Sequence, residues 1–281
     1  MADCLQTLVN TASQQLAQVS ASALLDAEVL LCHCLNKPRT FLRAWPEHQP
    51  TSAQTQAYWA LINQRQQGTP VAYLTGVREF WSRPFKVSPA VLIPRPDSEL
   101  LIELSLDLLP AQTSHKIIDL GTGSGILAIT LAAERPASQV IACDLSPAAL
   151  NIAQQNATDL AINNIRWVIS DWFTAIDETH FDLVISNPPY IDQHDPHLKQ
   201  GDVRFEPTSA LISPEQGLQD IRLLADQARQ HLKPGGHLLI EHGYDQQHPV
   251  QALFKQFNYQ QINTHPDYAG NPRVTSGLWN P

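Results

Sequence analysis

Ile117-Ile118-Asp119-Leu120-Gly121-Thr122-Gly123-Ser124-Gly125 is an apolar run that ends in three glycines at alternate positions. The residues that follow, Ile126-Leu127-Ala128-Ile129-Thr130-Leu131, resume an apolar pattern. This order predicts a buried strand over 117–120, a tight turn, and a helix over 126–135. Glycine lets the backbone turn sharply and lets a ligand approach with no Cβ in the way. The spacing is not the GxGxxG dinucleotide fingerprint, because Gly125 comes one residue early. No GxxxxGK[ST] is present either, so a nucleoside triphosphate has no lysine cradle.

Strand and helix signals alternate downstream of this turn. Strands are expected over 140–143, 165–170, 182–186 and 237–241, with two late strands near 260–265 and 273–278. Helices are expected over 147–160, 215–232 and 249–257. Upstream, a helix is expected over 96–109, where Pro96 suits a first turn and Asp97 and Glu99 complement its positive end. Such alternation implies an α/β fold with a mostly parallel sheet, helices on both faces and right-handed crossovers. Residues 77–93 hold Phe80, Trp81, Phe85, Val87, Val91, Leu92 and Ile93, with Ser82-Arg83-Pro84 as a turn signal, and read as a linking hairpin.

The first 70 residues read as helices. Leu5, Leu8, Ala12, Leu16 and Val19 share one helical face. A second helix over 23–35, capped by Ser22, is apolar on several sides and so expected to be buried. A third is expected from Thr51 to Gly68, with Tyr58, Leu61, Ile62 and Arg65 on one face. The expected partition is a helical domain, 1–75, and a second domain, 76–281. The helical part serves either to stabilise the rest or to dock a partner.

Composition excludes several function classes. The 281 residues are 43% hydrophobic and 16% charged, enough apolar material for a proper core. Lys plus Arg number 18 and Asp plus Glu 27, a formal charge of −9, all of it carried by residues 76–281. A nucleic-acid-coating protein would show a basic footprint, so no direct nucleic-acid contact is expected. No apolar run is long enough to span a membrane, and Met1 to Ser13 lack the pattern of a signal peptide. Cys4, Cys32, Cys34 and Cys143 form no CxxC pair, and there is no HExxH. The chain therefore reads as a cytoplasmic protein without metal.

Two groups at later strand ends extend the site. Asp144 ends the second strand of the series, 19 residues beyond Gly125, where an acid can accept both ribose hydroxyl protons; with Ser146-Pro147 after it, it also suits a helix cap. Asp171-Trp172 closes the third strand, offering an indole face for a purine and a carboxylate for an exocyclic amine. Ligands in such sheets bind outside the carboxyl ends of the strands. The next strand, Phe181-Asp182-Leu183-Val184-Ile185-Ser186, runs into Asn187-Pro188-Pro189-Tyr190. Pro188 pushes Asn187 toward extended geometry, and two prolines make a stiff turn that donates nothing from its own nitrogens. Its acceptors are the Asn187 side-chain oxygen and the Pro188 carbonyl, and Tyr190 adds a flat face. Two acceptors match a planar NH2 group, either a glutamine amide or the exocyclic amine of adenine.

The glycine turn, with Asp119 before it and Asp144 after it, resembles the S-adenosylmethionine site of class I methyltransferases. That resemblance implies a seven-stranded, Rossmann-like sheet with one late antiparallel strand. Further stretches carry a closer likeness. Tyr73-Leu74-Thr75-Gly76, Glu79-Phe80, and Val91-Leu92-Ile93-Pro94-Arg95-Pro96-Asp97-Ser98-Glu99-Leu100 resemble the bacterial release-factor glutamine methyltransferase family (PrmC, also called HemK). So do Glu206-Pro207, Ala210-Leu211, Gly217-Leu218, Glu241-His242-Gly243 and Gln246. The likeness covers nearly the whole chain.

The resemblance implies methyl transfer from S-adenosylmethionine, leaving S-adenosylhomocysteine, to N5 of the glutamine in the Gly-Gly-Gln loop of class-1 peptide chain release factors. It implies cofactor contacts from Asp119, Gly121, Thr122, Gly123, Ser124, Gly125, Asp144, Asp171, Trp172 and Asn187. The glutamine would be gripped by Asn187, Pro188, Pro189 and Tyr190, with Asn187, Pro188 and Tyr190 at the reacting group. A monomer is expected. Ser98 stands where the family commonly has Thr, and it keeps the hydroxyl. The alternatives are an adenine N6-methyltransferase, for which a basic recognition region is missing, and the ribosomal-protein glutamine methyltransferase, whose usual Ser-Pro after Pro-Arg is absent. Two points stay open. Arg95 either pairs with an acid inside the fold or touches substrate, and 191–209 is either a lid or a solvated connection.

Overall fold

The computed structural model describes residues 3–281. They form two compact units: residues 3–77 with Lys199–Phe205, and Arg78–Leu198 with Glu206–Pro281.

The first unit is helical. Helix α1 (Leu5–Leu16) buries Leu5, Leu8, Val9, Ala12 and Leu16, steps of three and four that make one stripe. Val19 lies beyond the helix and is 47% exposed, so the expected stripe ends one turn early. Helix α2 (Ala23–Leu35) ends at Asn36 in the left-handed region. It is not buried all round, because Leu24 and Leu25 face outward while Ala27, Leu30, Leu31 and Leu35 pack inward. Ser22 does not cap it through its side chain; its hydroxyl donates to Asp26 instead. Short α3 (Arg39–Ala44) and α5 (Val71–Thr75) flank α4 (Ser52–Gln66). Thr51 and Gln54 close a reciprocal capping box at the start of α4. Tyr58 and Ile62 bury against α1 and α2 in one cluster.

Arg65 is the polar centre of this unit. Its Nε donates to Asp26 Oδ2 at 2.8 Å and its Nη1 to Asp202 Oδ1 at 2.8 Å. Ser20 and Ser22 hydroxyls satisfy the remaining Asp26 lone pairs.

The chain then forms a two-stranded hairpin, β1 (Val77–Phe80) and β2 (Arg83–Lys86), which enters the second unit at Arg78. The turn is Trp81-Ser82, with φ of 51° and 57°, rather than Ser82-Arg83-Pro84. Glu99 and Glu79 accept from the Trp81 and Ser82 N–H groups, which holds this left-handed pair without glycine. Val91-Leu92-Ile93 are not a strand. The expected helix over 96–109 is a 3-10 turn, Pro96–Ser98, running into α6 (Glu99–Leu108).

A seven-stranded sheet follows: β3 (Lys116–Leu120), β4 (Gln139–Asp144), β5 (Ile165–Ile169), β6 (Phe181–Ser186), β7 (Leu232–Glu241), β8 (Gln260–Pro266) and β9 (Pro272–Trp279). The spatial order is β5-β4-β3-β6-β7-β9-β8. Pairs among β3 to β7 are parallel, whereas β9 runs antiparallel to both β7 and β8. Alternate side chains feed two cores. Ile117, Val140, Leu183 and Leu239 pack with α6, α7 (Ile126–Glu134) and α8 (Pro147–Asp159). Ile118, Ile141, Val184 and Leu238 pack with α10 (Gln219–His231) and α11 (Gln247–Gln256).

The expected helix 215–232 is broken. One turn, α9 (Pro214–Gly217), precedes α10, with Glu215 and Gln216 at φ of 55° and 58°. Among the described residues, no helix is long and apolar enough to cross a membrane.

Candidate active site

Strand β3 has β4 on one side and β6 on the other, so chain order reverses there. Parallel strands end together, and the turns after β3, β4, β5 and β6 therefore meet at one edge, the place where such sheets hold ligands. A cavity of about 450 Å³ opens at that edge. Gly121, Thr122, Gly123, Ser124, Asp144, Asp171, Trp172, Asn187 and Pro189 line it.

The glycine turn is built from β3 and β4 together. Gly121 and Thr122 both donate N–H to the Cys143 carbonyl at 2.9 Å. Gly121, Gly123 and Gly125 have φ of 74°, 56° and 86°, a region that side chains with a Cβ avoid. A Cβ on Gly121 would sit 3.3 Å from the Trp172 ring, and one on Gly125 would sit 2.7 Å from Ile129. Asp144 Oδ2 accepts from Gly123 N and Oδ1 from Ser146 N, both at 2.8 Å. Burial raises its pKa, and those two backbone bonds oppose the rise.

Asp119 is fully buried beneath the turn and is not on the cavity wall. Its Oδ2 accepts from Thr122 Oγ1 at 2.6 Å and from Ala128 N at 3.1 Å, pinning the turn to α7. Burial pushes its pKa up to about 7. Gly125 also lies off the wall, as the residue on which α7 starts. Asn156 on α8 escaped the sequence reading: its Nδ2 donates to the Ser124 and Lys86 carbonyls and its Oδ1 accepts from Lys86 N. An asparagine in step with Leu150 and Ala153 along α8 was the available signal.

At the end of β6, Ser186 Oγ donates to the Leu120 carbonyl at 2.7 Å and ties the acceptor turn to the glycine turn. Asn187 Nδ2 donates to Ser98 Oγ at 3.0 Å. Ser98 Oγ in turn donates to Glu241 Oε2 at 2.7 Å, and Tyr190 Oη donates to Glu241 Oε1 at 3.3 Å. Burial pushes Glu241 up to about 7. Pro188 is buried, and neither Pro188 nor Tyr190 lines the cavity. The Tyr190 carbonyl accepts from Gln246 Nε2 at 3.0 Å. A Cβ on Gly217, whose φ is 82°, would come within 2.0 Å of that carbonyl, so this position requires glycine.

Arg95 Nη2 pairs with Glu206 Oε1 at 2.5 Å while also lining the cavity, so its partner is an internal acid. The stretch 191–209 is anchored rather than free. Ile191 bridges to Ile212, Lys199–Phe205 belong to the helical unit, and Pro207 and Ser209 help wall the cavity. Val91 and Leu92, expected in a strand, wall it too. Among the described residues no cluster of His, Cys, Asp and Glu could hold a metal ion.

Two family models match the chain. Residues 7–76 match the PrmC N-terminal domain, and residues 97–206 match the methyltransferase small domain. A release factor glutamine methyltransferase of Salmonella typhimurium is 51% identical over 91% of this chain and 92% of its own. One from Escherichia coli is 50% identical over 93% of this chain and 94% of its own, and one from Shewanella oneidensis is 46% identical over 99% and 98%. The chain belongs to the release factor glutamine methyltransferase family. Solved structures agree on the fold. A methyltransferase from Pyrococcus furiosus superposes with a TM-score of 0.55 at 15% identity, covering 79% of this chain and 98% of that one. A Thermus thermophilus 16S rRNA methyltransferase, solved with AdoMet and guanosine, gives 0.53 at 19% identity, over 72% and 49%. The family's seven-stranded α/β enzyme fold is thus the one seen here, with β9 as the antiparallel strand.

Proposed function

We propose that the chain transfers a methyl group from S-adenosylmethionine to the side-chain amide nitrogen of a glutamine in peptide chain release factors, the Gly-Gly-Gln glutamine of the class-1 factors. The observation that carries this reading is Asn187, held on the cavity wall beside the glycine turn with its Nδ2 turned inward to Ser98. Its oxygen is then left for a donor such as an amide NH2. Family membership favours a protein glutamine over adenine.

The residues present fit the methyl donor. Gly121 and Gly123 leave their surfaces bare of Cβ, Trp172 packs across Gly121, and Asp144 sits at the end of β4. Asp144 would accept ribose hydroxyls, Trp172 would flank the adenine with Asp171 near its amine, and the backbone of Gly121–Gly125 would follow the rest. Asp119 would act from beneath by holding Thr122. When bound, the donor supplies an electrophilic methyl carbon on a sulfonium.

The chain's own task is to make a poor nucleophile reactive. Amide nitrogen is delocalised into its carbonyl, with a rotation barrier of roughly 18–20 kcal/mol. Asn187 Oδ1, on the cavity wall, would accept one N–H of the glutamine, and the carbonyl of Pro188, a residue off that wall but flanked by Asn187 and Pro189 on it, would accept the other; together they would favour the pyramidal nitrogen. Both contacts strengthen as positive charge develops there, the differential stabilisation that catalysis requires. Pro189 on the wall keeps the turn stiff, and Tyr190 is held by Glu241 behind it. No strong base is needed before transfer, since the N–H becomes acidic only once the nitrogen is alkylated. Acceptor oxygens would repel a glutamate carboxylate, which selects glutamine.

The helical unit is read as the docking module for the release factor outside its target loop, and the chain as a monomer that makes no direct nucleic-acid contact. Incubating the protein with labelled methyl donor and either release factor or RNA tests the reading. Label is expected in a single glutamine-bearing peptide of the release factor, a gain of about 14 Da set by one methyl group replacing one hydrogen. Label in RNA alone would sink it.

A further inference from the structure

An asparagine carboxamide has two ends of nearly the same shape and opposite hydrogen-bonding character. If Asn187 were turned over, an NH2 would face the NH2 of the acceptor glutamine, and the contact would repel. Something in the fold has to choose the end. We propose that Ser98 and Glu241 are positioning residues that hold Asn187 with its oxygen toward the acceptor nitrogen. The inference rests on the methyl-transfer reading above and concerns groups behind the cavity wall as well as on it.

The direction of the chain of hydrogen bonds carries the argument. Glu241, 1% exposed at the end of β7, is an acceptor when ionised. Ser98 is fully buried in the 3-10 turn before α6 and has one hydroxyl proton. That proton goes to Glu241 Oε2 at 2.7 Å. Toward Asn187 the Ser98 oxygen then has only lone pairs to offer, and it takes Nδ2–H at 3.0 Å. Tyr190 Oη donates to Glu241 Oε1, so the second carboxylate oxygen is also committed and the carboxylate does not rotate away. Every donor points toward Glu241. A protonated or amide group at 241 can donate to Ser98, which lets Ser98 turn its own proton toward Asn187 and donate to the Oδ1 of the turned-over side chain.

The charged and titratable groups acting on Glu241 are Arg273 from β9, Asp97 from the same 3-10 turn as Ser98, and Tyr190. His242, next in sequence, turns aside to Thr275 and the Gly243 carbonyl. Burial already places Glu241 where ordinary pH reaches it, at about 7. The reaction rate should therefore rise with pH through that region.

The test compares four full-length proteins, wild type, Ser98→Ala, Ser98→Thr and Glu241→Gln, on intact release factor from pH 5.5 to 9, with donor affinity measured by calorimetry. Ser98→Ala is expected to lower kcat by roughly 10–100-fold, toward the scale of losing one transition-state contact. KM for the release factor and donor affinity should stay within about two-fold, as for a group that acts only in the transition state. Ser98→Thr should restore kcat to within about three-fold, because it keeps the donor and acceptor pair. Glu241→Gln should lose both rate and the pH-dependent limb. Wild-type kcat in Ser98→Ala, a Ser98→Thr as slow as Ser98→Ala, or an unchanged limb in Glu241→Gln would each overturn the inference. If the wild type methylates no release factor at any pH, it is the functional reading that fails instead.

Discussion

At the scale of single residues, the proposed function divides the cavity into groups that would hold the donor and groups that would act on the acceptor. Replacing Asn187 by Ala should leave donor affinity largely intact and lower the rate about 100-fold, the loss seen for one contact to a developing charge. Replacing Asp144 by Ala should do the reverse, weakening donor binding, which calorimetry would read directly; unchanged affinity would remove it from the ribose. Glu241 makes a prediction about stability. Its carboxyl titrates near the usual 4.5 when unfolded and at about 7 when folded, because burial disfavours the charge. The folded state thus binds this proton more tightly, and the stability it contributes is present below about 4.5 and lost as pH rises through about 7. Glu241→Gln lacks that loss. Its melting temperature relative to wild type should rise by several degrees between pH 5 and pH 8, given about 2–4 °C per kcal/mol for a domain of this size. A constant difference across pH would refute the assignment. Much of this scale was legible in the sequence: the glycine turn, Asp144, Trp172 and Asn187, which the cavity gathers, all stood out by residue type and position. Ser98 and Glu241 did not, because a serine's role depends on which proton it gives to whom, and their contact spans 143 positions.

Elements were legible where the local pattern suffices. Alternating strands and helices from β3 to β9 follow from apolar runs separated by polar or glycine turns. Thr51 and Gln54 close the reciprocal box that starts α4, a signal read within four residues. Several of the failures involve a neighbour distant in sequence. Trp81-Ser82 turns the hairpin because Glu99 and Glu79 satisfy its N–H groups, and nothing in the dipeptide itself favours positive φ. Val91-Leu92-Ile93 look like a strand because they are apolar and branched; Val91 and Leu92 wall the cavity and Ile93 is buried in the core. At the break before α10, Gly217 packs on the Tyr190 carbonyl. Gly217→Ala should therefore be severe. It combines a φ of 82° with a Cβ 2.0 Å from that oxygen, and backbone cannot yield as a flexible side chain can. A loss of about 2–4 kcal/mol is expected, the range for strain plus overpacking. Methyl transfer should fall with it, as the turn that carries Asn187 shifts. Chemical denaturation with activity measured on the folded fraction checks both, and an unperturbed midpoint would show that the contact is relaxed in solution.

At the scale of the whole molecule, each unit has its own core, and the helical unit has a polar anchor in Arg65. Arg65 ties Asp26 to Asp202, and both it and Asp26 are largely out of water. Arg65→Met would leave the Asp26 carboxylate buried without its cation, and losing one partner of such a pair costs about 3–5 kcal/mol. Hydrogen exchange should then show helices α1, α2 and α4 and the segment 199–205 losing protection together; protection lost in α4 alone would argue that the pair is local. Taken alone, the sequence determined the kinds of elements, the parallel core of the sheet, the glycine turn and the stiff Asn-Pro-Pro-Tyr turn after β6. Each of these follows from periodicity, from glycine and proline stereochemistry, or from residue type, all of which act over a few positions. Only the tertiary structure decided the strand order that reverses at β3, the assignment of 199–205 to the helical unit, the placing of Asp119 beneath the turn, and the proton direction from Asn187 through Ser98 to Glu241. Those depend on which distant groups meet in a space closed to water, where an unpaired polar atom is costly and each donor must find its one acceptor.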